Sequence, residues 1–182
     1  FFFYFIDKRT RGVDVVLTHA LRFGNNNRLT TSLAAIFSKT EQIGAVNTSS
    51  ALEGLEDVYF DETSRIFLEE AVPRTKLNLS FNLTVGKFNA FLRNVYFGEV
   101  KEATNTVANQ QVFSGKVITD LTVGYQFLNN LRFTVGANNL LDIYPDENIP
   151  ANQGSAQFIY SRRSQQFGFQ GRYIFGRLTF NL

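Results

Sequence analysis

Between Lys76 and Val85 the side chains change character at every step. Leu77, Leu79, Phe81, Leu83 and Val85 fall on one parity, and Lys76, Asn78, Ser80, Asn82 and Thr84 on the other. A period of two is the mark of a strand with two different faces, since a helix would spread these residues around all its sides. The pattern returns in Val117, Thr119, Leu121, Val123, Tyr125 and Phe127 against Ile118, Asp120, Thr122, Gly124 and Gln126. It returns again in Leu131, Phe133, Val135 and Ala137 against Arg132, Thr134, Gly136 and Asn138.

Weaker copies lie on either side. Val13, Val15, Leu17 and Leu21, with His19 on their parity, alternate with Asp14, Thr18 and Arg22. Leu29, Leu33, Ala35 and Phe37 alternate with Arg28, Thr30, Ser32 and Ser38. At the end, Ile174, Leu178, Phe180 and Leu182 oppose Tyr173, Arg177, Thr179 and Asn181, with Phe175 an apolar exception on the polar side. The Phe88–Glu99 stretch puts either Asn94 or Arg93 on the apolar face, and Asn94 is assigned there because a charge in an apolar setting costs more. Seven strands result, and an all-β antiparallel architecture is expected over residues 1–182 as one domain.

The connections alternate in length. Gly24-Asn-Asn-Asn27, Gly86-Lys87 and Leu128-Asn-Asn130 are tight, whereas about 40–73, 100–113 and 141–163 are long. Asn and Gly suit the positive-φ positions of hairpin turns. Short turns at one end and long loops at the other describe an outer-membrane barrel with the apolar face toward lipid. Seven strands cannot close such a barrel, and an odd count fits a segment of a larger one. A soluble barrel or sandwich with the apolar face inward is one competing reading, because alternation alone does not tell inside from outside; a passive porin or structural barrel, which would need no plug, is another.

Composition narrows the classes. The longest apolar run, Phe1 to Ile6, is far short of the roughly 20 residues of a membrane helix, and no signal-peptide pattern opens the chain. There are 20 Phe and 7 Tyr but no Cys, which removes disulfides, thiol catalysis and thiolate metal sites. The net charge of +2 comes from scattered residues with no basic run beyond Lys8-Arg9 and Arg162-Arg163, so nucleic acid is not an expected partner. One histidine and no Gly-x-Ser-x-Gly elbow leave nothing for nucleophilic catalysis; no enzyme, cofactor or metal site is expected.

The long 40–73 loop holds eight of the chain's 16 acidic residues: Glu41, Glu53, Glu56, Asp57, Asp61, Glu62, Glu69 and Glu70. Such a surface either attracts a cationic ligand or is a solvated face. Leu52, Leu55 and Tyr59, then Ile66 and Phe67, suggest one or two short helices, with Asp61 or Thr63 as a cap. Aromatics near strand ends (Phe1 to Phe5, Tyr96-Phe97, Tyr125 with Phe127, Tyr144, Tyr160, Phe167 with Phe169) are expected as interfacial girdles.

Four stretches, in order, resemble the carboxy-terminal part of TonB-dependent receptors. They are Thr10-Arg-Gly-Val-Asp14 with Val15-Val-Leu-Thr18; Phe60-Asp61 through Pro73-Arg-Thr-Lys76; Asp120-Leu-Thr-Val-Gly-Tyr-Gln-Phe127 through Ala137-Asn-Asn-Leu-Leu-Asp142; and Phe167-Gly-Phe-Gln-Gly-Arg172 with the run to Leu182, which resembles the closing strand. Leu141 and the terminal Leu182 depart from the Phe common in the family at those points. The resemblance implies a barrel of 22 strands plugged by an amino-terminal domain that contacts TonB, set in outer-membrane lipid and importing a small-molecule nutrient such as a ferric siderophore, a cobalamin-like cofactor or an oligosaccharide. The ligand-contact candidates are Glu53, Glu56, Asp57, Asp61 and Glu62 in the first long loop, and Tyr144, Asp146, Glu147, Arg162 and Arg163 in the last.

Overall fold

The computed structural model describes residues 6–49, 53–104, 106–162 and 166–181. Seven strands form one antiparallel sheet in the order of the chain. They are β1 (Asp7–Phe23), β2 (Asn27–Ile43), β3 (Thr75–Val85), β4 (Phe88–Phe97), β7 (Lys116–Leu128), β8 (Leu131–Asn138) and β9 (Tyr173–Phe180). A separate hairpin, β5 (Val100–Glu102) with β6 (Gln111–Phe113), stands in the middle loop. Two helices, α1 (Glu56–Tyr59) and α2 (Glu62–Glu69), lie in the first loop, with Asp61 rather than Thr63 capping α2 by accepting from the Ser64 amide at 2.7 Å. Leu52, expected in the first helical run, lies outside the described residues.

The register carries each face across the whole sheet. Val13 opposes Phe37, Leu17 opposes Leu33, Leu33 opposes Leu79, Phe81 opposes Leu92, Leu92 opposes Leu121, Val123 opposes Val135, and Phe133 opposes Leu178. Directly opposed residues project to the same side, so these form one continuous apolar surface. It is left bare: Leu17 is 60% exposed, Phe88 57%, Val117 47% and Leu178 69%. A soluble monomer rarely exposes more than a few hundred Å² of contiguous apolar surface, whereas a wall facing lipid does so by construction.

Asn94 does fall on the apolar face. It opposes Leu79 on one side and Thr119 on the other, and the Thr119 hydroxyl donates to its Oδ1 at 2.8 Å. Arg93 takes the other face, where its Nε meets Asp120 Oδ2 at 2.9 Å. That inner face is polar and internally bonded: Asn89 Nδ2 donates to Asn82 Oδ1 at 2.9 Å and to Thr84 Oγ1 at 3.2 Å.

Several boundaries differ from the expectation. β2 runs to Ile43 rather than stopping near Thr40, because cross-strand partners continue past it: Thr10 with Thr40 at 2.9 Å, and Arg9 with Glu41. The 167–172 stretch, expected as the start of the closing strand, is loop, and β9 begins only at Tyr173. Positive φ at Gly171 (71°) turns the chain there, and the Arg172 amide is taken by Asp142 Oδ1 at 2.7 Å instead of a neighbouring strand. Tyr144, Tyr160, Phe167 and Phe169 accordingly belong to this loop and not to a girdle on the strand ends. At the turn end a ring cluster does exist, with Phe88 and Tyr125 at 4.6 Å and Tyr125 and Phe127 at 4.8 Å between centroids. Phe1 to Phe5 lie outside the described residues.

Candidate functional site

All three long loops leave the same end of the sheet and are tied to one another. The Lys101 amide donates to Glu70 O at 2.9 Å, joining the middle loop to the first. Gln111 Nε2 donates to Glu147 O at 2.7 Å, its Oε1 accepts from the Ile149 amide at 3.0 Å, and Asn152 Nδ2 donates to Asn109 O at 2.8 Å, joining the middle loop to the last. Ser161 reaches Glu102. This loop cluster has a core of its own: Phe113 is 2% exposed, Val100 and Ile66 3%, and Ala103 4%. Unpaired loop backbone could not hold such a position; the 98–115 and 139–172 loops manage it by satisfying each other's polar groups.

Asn139, Asp142 and Gly171 close the last loop. Asn139 sits at φ 50°, its Oδ1 accepting from the Ile143 amide at 2.9 Å and its Nδ2 donating to Ile143 O at 2.7 Å. Its own amide donates to Asp120 Oδ1 at 2.8 Å, so Asp120 joins the wall pair with Arg93 to the root of the loop. A Cβ at Gly171 would come within 2.1 Å of Tyr144 Oη and 2.7 Å of Asp142 Oδ1, so glycine alone fits. Residues 137–142, singled out by resemblance, thus act as the lock that brings β8 and β9 into register across a loop of more than thirty residues.

The candidate contact residues divide by what they already hold. Asp61 caps α2, and the Ser64 amide keeps its carboxyl below its ordinary range. Glu56 accepts from the Gly54 amide and the Thr48 hydroxyl, each at 3.1 Å; its own backbone amide, the Gly54 amide and then Thr48 lower its pKa. Asp146 accepts from the Ser114 amide at 2.6 Å, the Ser114 hydroxyl, and Lys116 Nζ at 2.5 Å. Desolvation raises its carboxyl, but the bonds from Lys116 and Ser114 together outweigh it and hold the pKa low. Glu53, Asp57 and Glu62 are exposed, Asp57 on α1 and Glu62 opening α2. The structure does not gather these acids around a common point with the last loop: among the described residues no group of three His, Cys, Asp or Glu is placed to hold a metal.

In the last loop, Glu147 bridges to Tyr160, and Tyr144, Tyr160 and Phe169 stack with centroids 6.3 and 6.1 Å apart. The charge of Asp142 raises the Tyr144 pKa first, with desolvation and the hydrogen bond to Asp142 adding to it. Arg162 is exposed; Arg163 lies outside the described residues. Arg162, Tyr160, Phe158, Asn148 and Glu102 line a cleft of about 380 Å³ between the last and middle loops. Asn148 is 7% exposed, its Nδ2 donates to Phe158 O at 2.8 Å, and its Oδ1 has no partner among the described residues. Asn148 and Phe158 were not singled out in the sequence; nothing in their local spacing distinguishes them from ordinary loop residues. A second cavity, about 610 Å³, lies over the inner face of the wall between Arg93, Asp120 and residues 167–171.

An antiparallel wall with a bare apolar face, a hydrogen-bonded polar face, tight turns at one end and interlocked loops at the other is a section of a β-barrel wall. The TonB dependent receptor-like, beta-barrel family model matches residues 1–140, and the chain belongs to that family. Among solved structures, a mutant of the ferric enterobactin receptor of Pseudomonas aeruginosa has a similar fold, with a TM-score of 0.50 and 16% identity over 91% of this chain. The likeness covers 21% of that receptor, so this chain spans about a fifth of its length. No curated protein matches the chain.

Proposed function

We propose that this chain is a wall segment of an active outer-membrane importer, supplying loops that capture a scarce small-molecule nutrient: a ferric siderophore, a cobalamin-like cofactor or an oligosaccharide. The observation that carries the reading is the bare, predominantly apolar face that crosses the sheet from β1 to β9, with the polar face behind it. Lipid would answer the first, and a plugged or water-filled lumen the second. Coupling to TonB through a plug is proposed as a property of the whole receptor, to which this chain contributes the wall.

Ligand capture is placed in the loop cluster. Tyr160 and Phe158 offer apolar faces and Arg162 a cation in one cleft, with Asn148 in its lining. A ligand carrying a hydrogen-bond acceptor or an anionic group beside an apolar ring would meet Arg162 and stack on the rings. Glu53, Asp57, Glu62 and Tyr144 are proposed as outer contacts, while Glu56, Asp61, Asp146 and Glu147 position the loops that carry them.

The test is Leu79→Arg in the full-length protein, followed by envelope fractionation. An arginine on the lipid face near mid-membrane costs roughly 2–4 kcal/mol, so the outer-membrane fraction should fall sharply while Asn78→Arg, on the inner face, assembles. Equal assembly of the two variants would remove the outward assignment and the importer reading with it.

A further inference from the structure

The polar face of the wall is not polar throughout. Val95 and Ile118 are directly opposed on it, one row nearer the loops than the Arg93 and Asp120 pair, and both are buried. In the next row Phe97 stands between Lys76 and Lys116, with Lys76 Nζ 5.0 Å from the centre of its ring. Residues 167–171 lie over these rows, and the Phe167 ring is 5.7 Å from that of Phe97. The cavity of about 610 Å³ is the space between wall and roof, lined by Val95, Phe97, Ile118, Phe169 and Tyr173, with Arg93 and Asp120 at its turn-side end.

Arg93 is the group that this cavity leaves incompletely bonded. Asp120 Oδ2 accepts from its Nε at 2.9 Å and from its Nη2 at 2.5 Å, which occupies one edge of the guanidinium. Among the described residues Nη1 has no partner, and the side chain is 44% exposed. Asp120 is already engaged at both oxygens, since its Oδ1 accepts from the Asn139 amide at 2.8 Å. Across β3, β4, β7, β8 and β9 the same face carries Lys76, Arg93, Lys116, Arg132 and Arg177 against Asp120 alone. Of these cations only Arg93 and Lys116 have a carboxylate partner among the described residues, so the field over the cavity is positive.

We propose that this cavity binds a small amphiphilic anion, a carboxylate joined to an apolar ring, with the carboxylate at the free edge of Arg93 and the ring among Val95, Ile118 and Phe169. A guanidinium presents five donors in a planar fork, so a second carboxylate docks beside Asp120 without displacing it. Apolar walls with one placed charge are the usual make-up of a site that orients a small ligand. An inorganic anion gains only a screened attraction to Arg93, and a neutral ring only the apolar contact. The site shares no residue with the Arg162 cleft and does not depend on which ligand that cleft takes.

The experiment uses the full-length receptor in a non-ionic detergent, with naphthoate as the probe, naphthylmethanol as its neutral counterpart and acetate as the anion without a ring. Calorimetry should show naphthoate binding roughly tenfold more tightly than naphthylmethanol, the worth of hydrogen bonds to a charged group, and acetate at the same concentration should not compete. Hydrogen exchange should slow through 167–172 on naphthoate binding and stay unchanged through 148–162. Arg93→Gln should weaken naphthoate roughly tenfold and leave naphthylmethanol as it was, whereas Arg132→Gln, on the same face outside the cavity, should alter neither. Absence of naphthoate binding, or equal binding of the acid and the alcohol by the native receptor, overturns the proposal even if the Arg93 variant fails to assemble. Slowing confined to 148–162 overturns it by placing the anion in the Arg162 cleft. Equal weakening in Arg93→Gln and Arg132→Gln overturns it by reducing the effect to the general field of the wall. Failure of the importer reading is seen separately, from Leu79→Arg.

Discussion

The wall and the loop cluster place their apolar side chains by opposite rules. In the wall, Leu17, Phe88 and Leu178 stay more than half exposed, and the strands are held by their ladders and by the medium expected around them. In the loops, Phe113, Val100 and Ile66 are almost fully enclosed, in elements of three to eight residues that no periodicity would nominate as a core. The part of the chain that behaves like a small globular protein is therefore the part usually regarded as irregular. The proposed membrane setting would account for the surface of the wall; the loop cluster carries its own hydrophobic reason to be ordered.

The sharpest way to separate the two is Phe113→Ala. Truncating an enclosed Phe costs about 3–5 kcal/mol, and the penalty should fall on the loops alone. Hydrogen exchange should rise through residues 98–115 and 139–162 while β1, β2 and β3 amides keep their protection, and outer-membrane assembly should continue. Protection lost across the wall as well would mean that the cluster and the wall are one cooperative unit. Leu79→Arg, at roughly 2–4 kcal/mol, should give the converse, with assembly lost because the fault lies on the lipid face.

Next in size is Asn139→Ala, on the boundary between the regions. It removes both side-chain bonds to Ile143 and puts a Cβ residue without local hydrogen bonding at φ 50°. Losing a buried bonded pair of this kind costs about 1–3 kcal/mol. The expected result is faster exchange at Ile143 and at the Arg172 amide, with Asn139→Asp, which keeps the acceptor, nearer to the native protein. An unchanged Arg172 amide would show that Asp142 closes the loop without help from Asn139.

Much of the wall was legible because a strand writes its faces into every second residue. The choice of Asn94 over Arg93 for the apolar face followed from charge cost, yet the reason it is tolerated, the Thr119 hydroxyl, lies 25 residues away and is set by register. The closing strand was placed too early for a related reason: Phe167 and Phe169 alternate like strand residues, but Asp142 captures the Arg172 amide from 30 residues back. The cap of α2 was legible as Asp61 or Thr63 because capping is local, and the structure selects Asp61. The cleft at Asn148 was not, since its members come from two loops and meet only after Gln111 and Asn152 have joined them.

The smallest expected effect is on pH, and it bears on the same boundary. Asp146 joins the last loop to Ser114 and to Lys116 at the start of β7, and its carboxyl is held below the ordinary 3.8 when folded. A group whose folded pKa is depressed contributes stability above its unfolded value and loses it as pH falls through the folded one. The tie should therefore be intact at neutral pH and weaken only below about 3.8. The Ser114 amide, which donates directly to Asp146, reports it: its protection relative to wall amides such as Leu79 should drop in that acid window and not above it. Asp146→Asn should remove the pH step while leaving the wall amides unchanged. A step of the same size surviving in Asp146→Asn would place the acid sensitivity elsewhere in the loops.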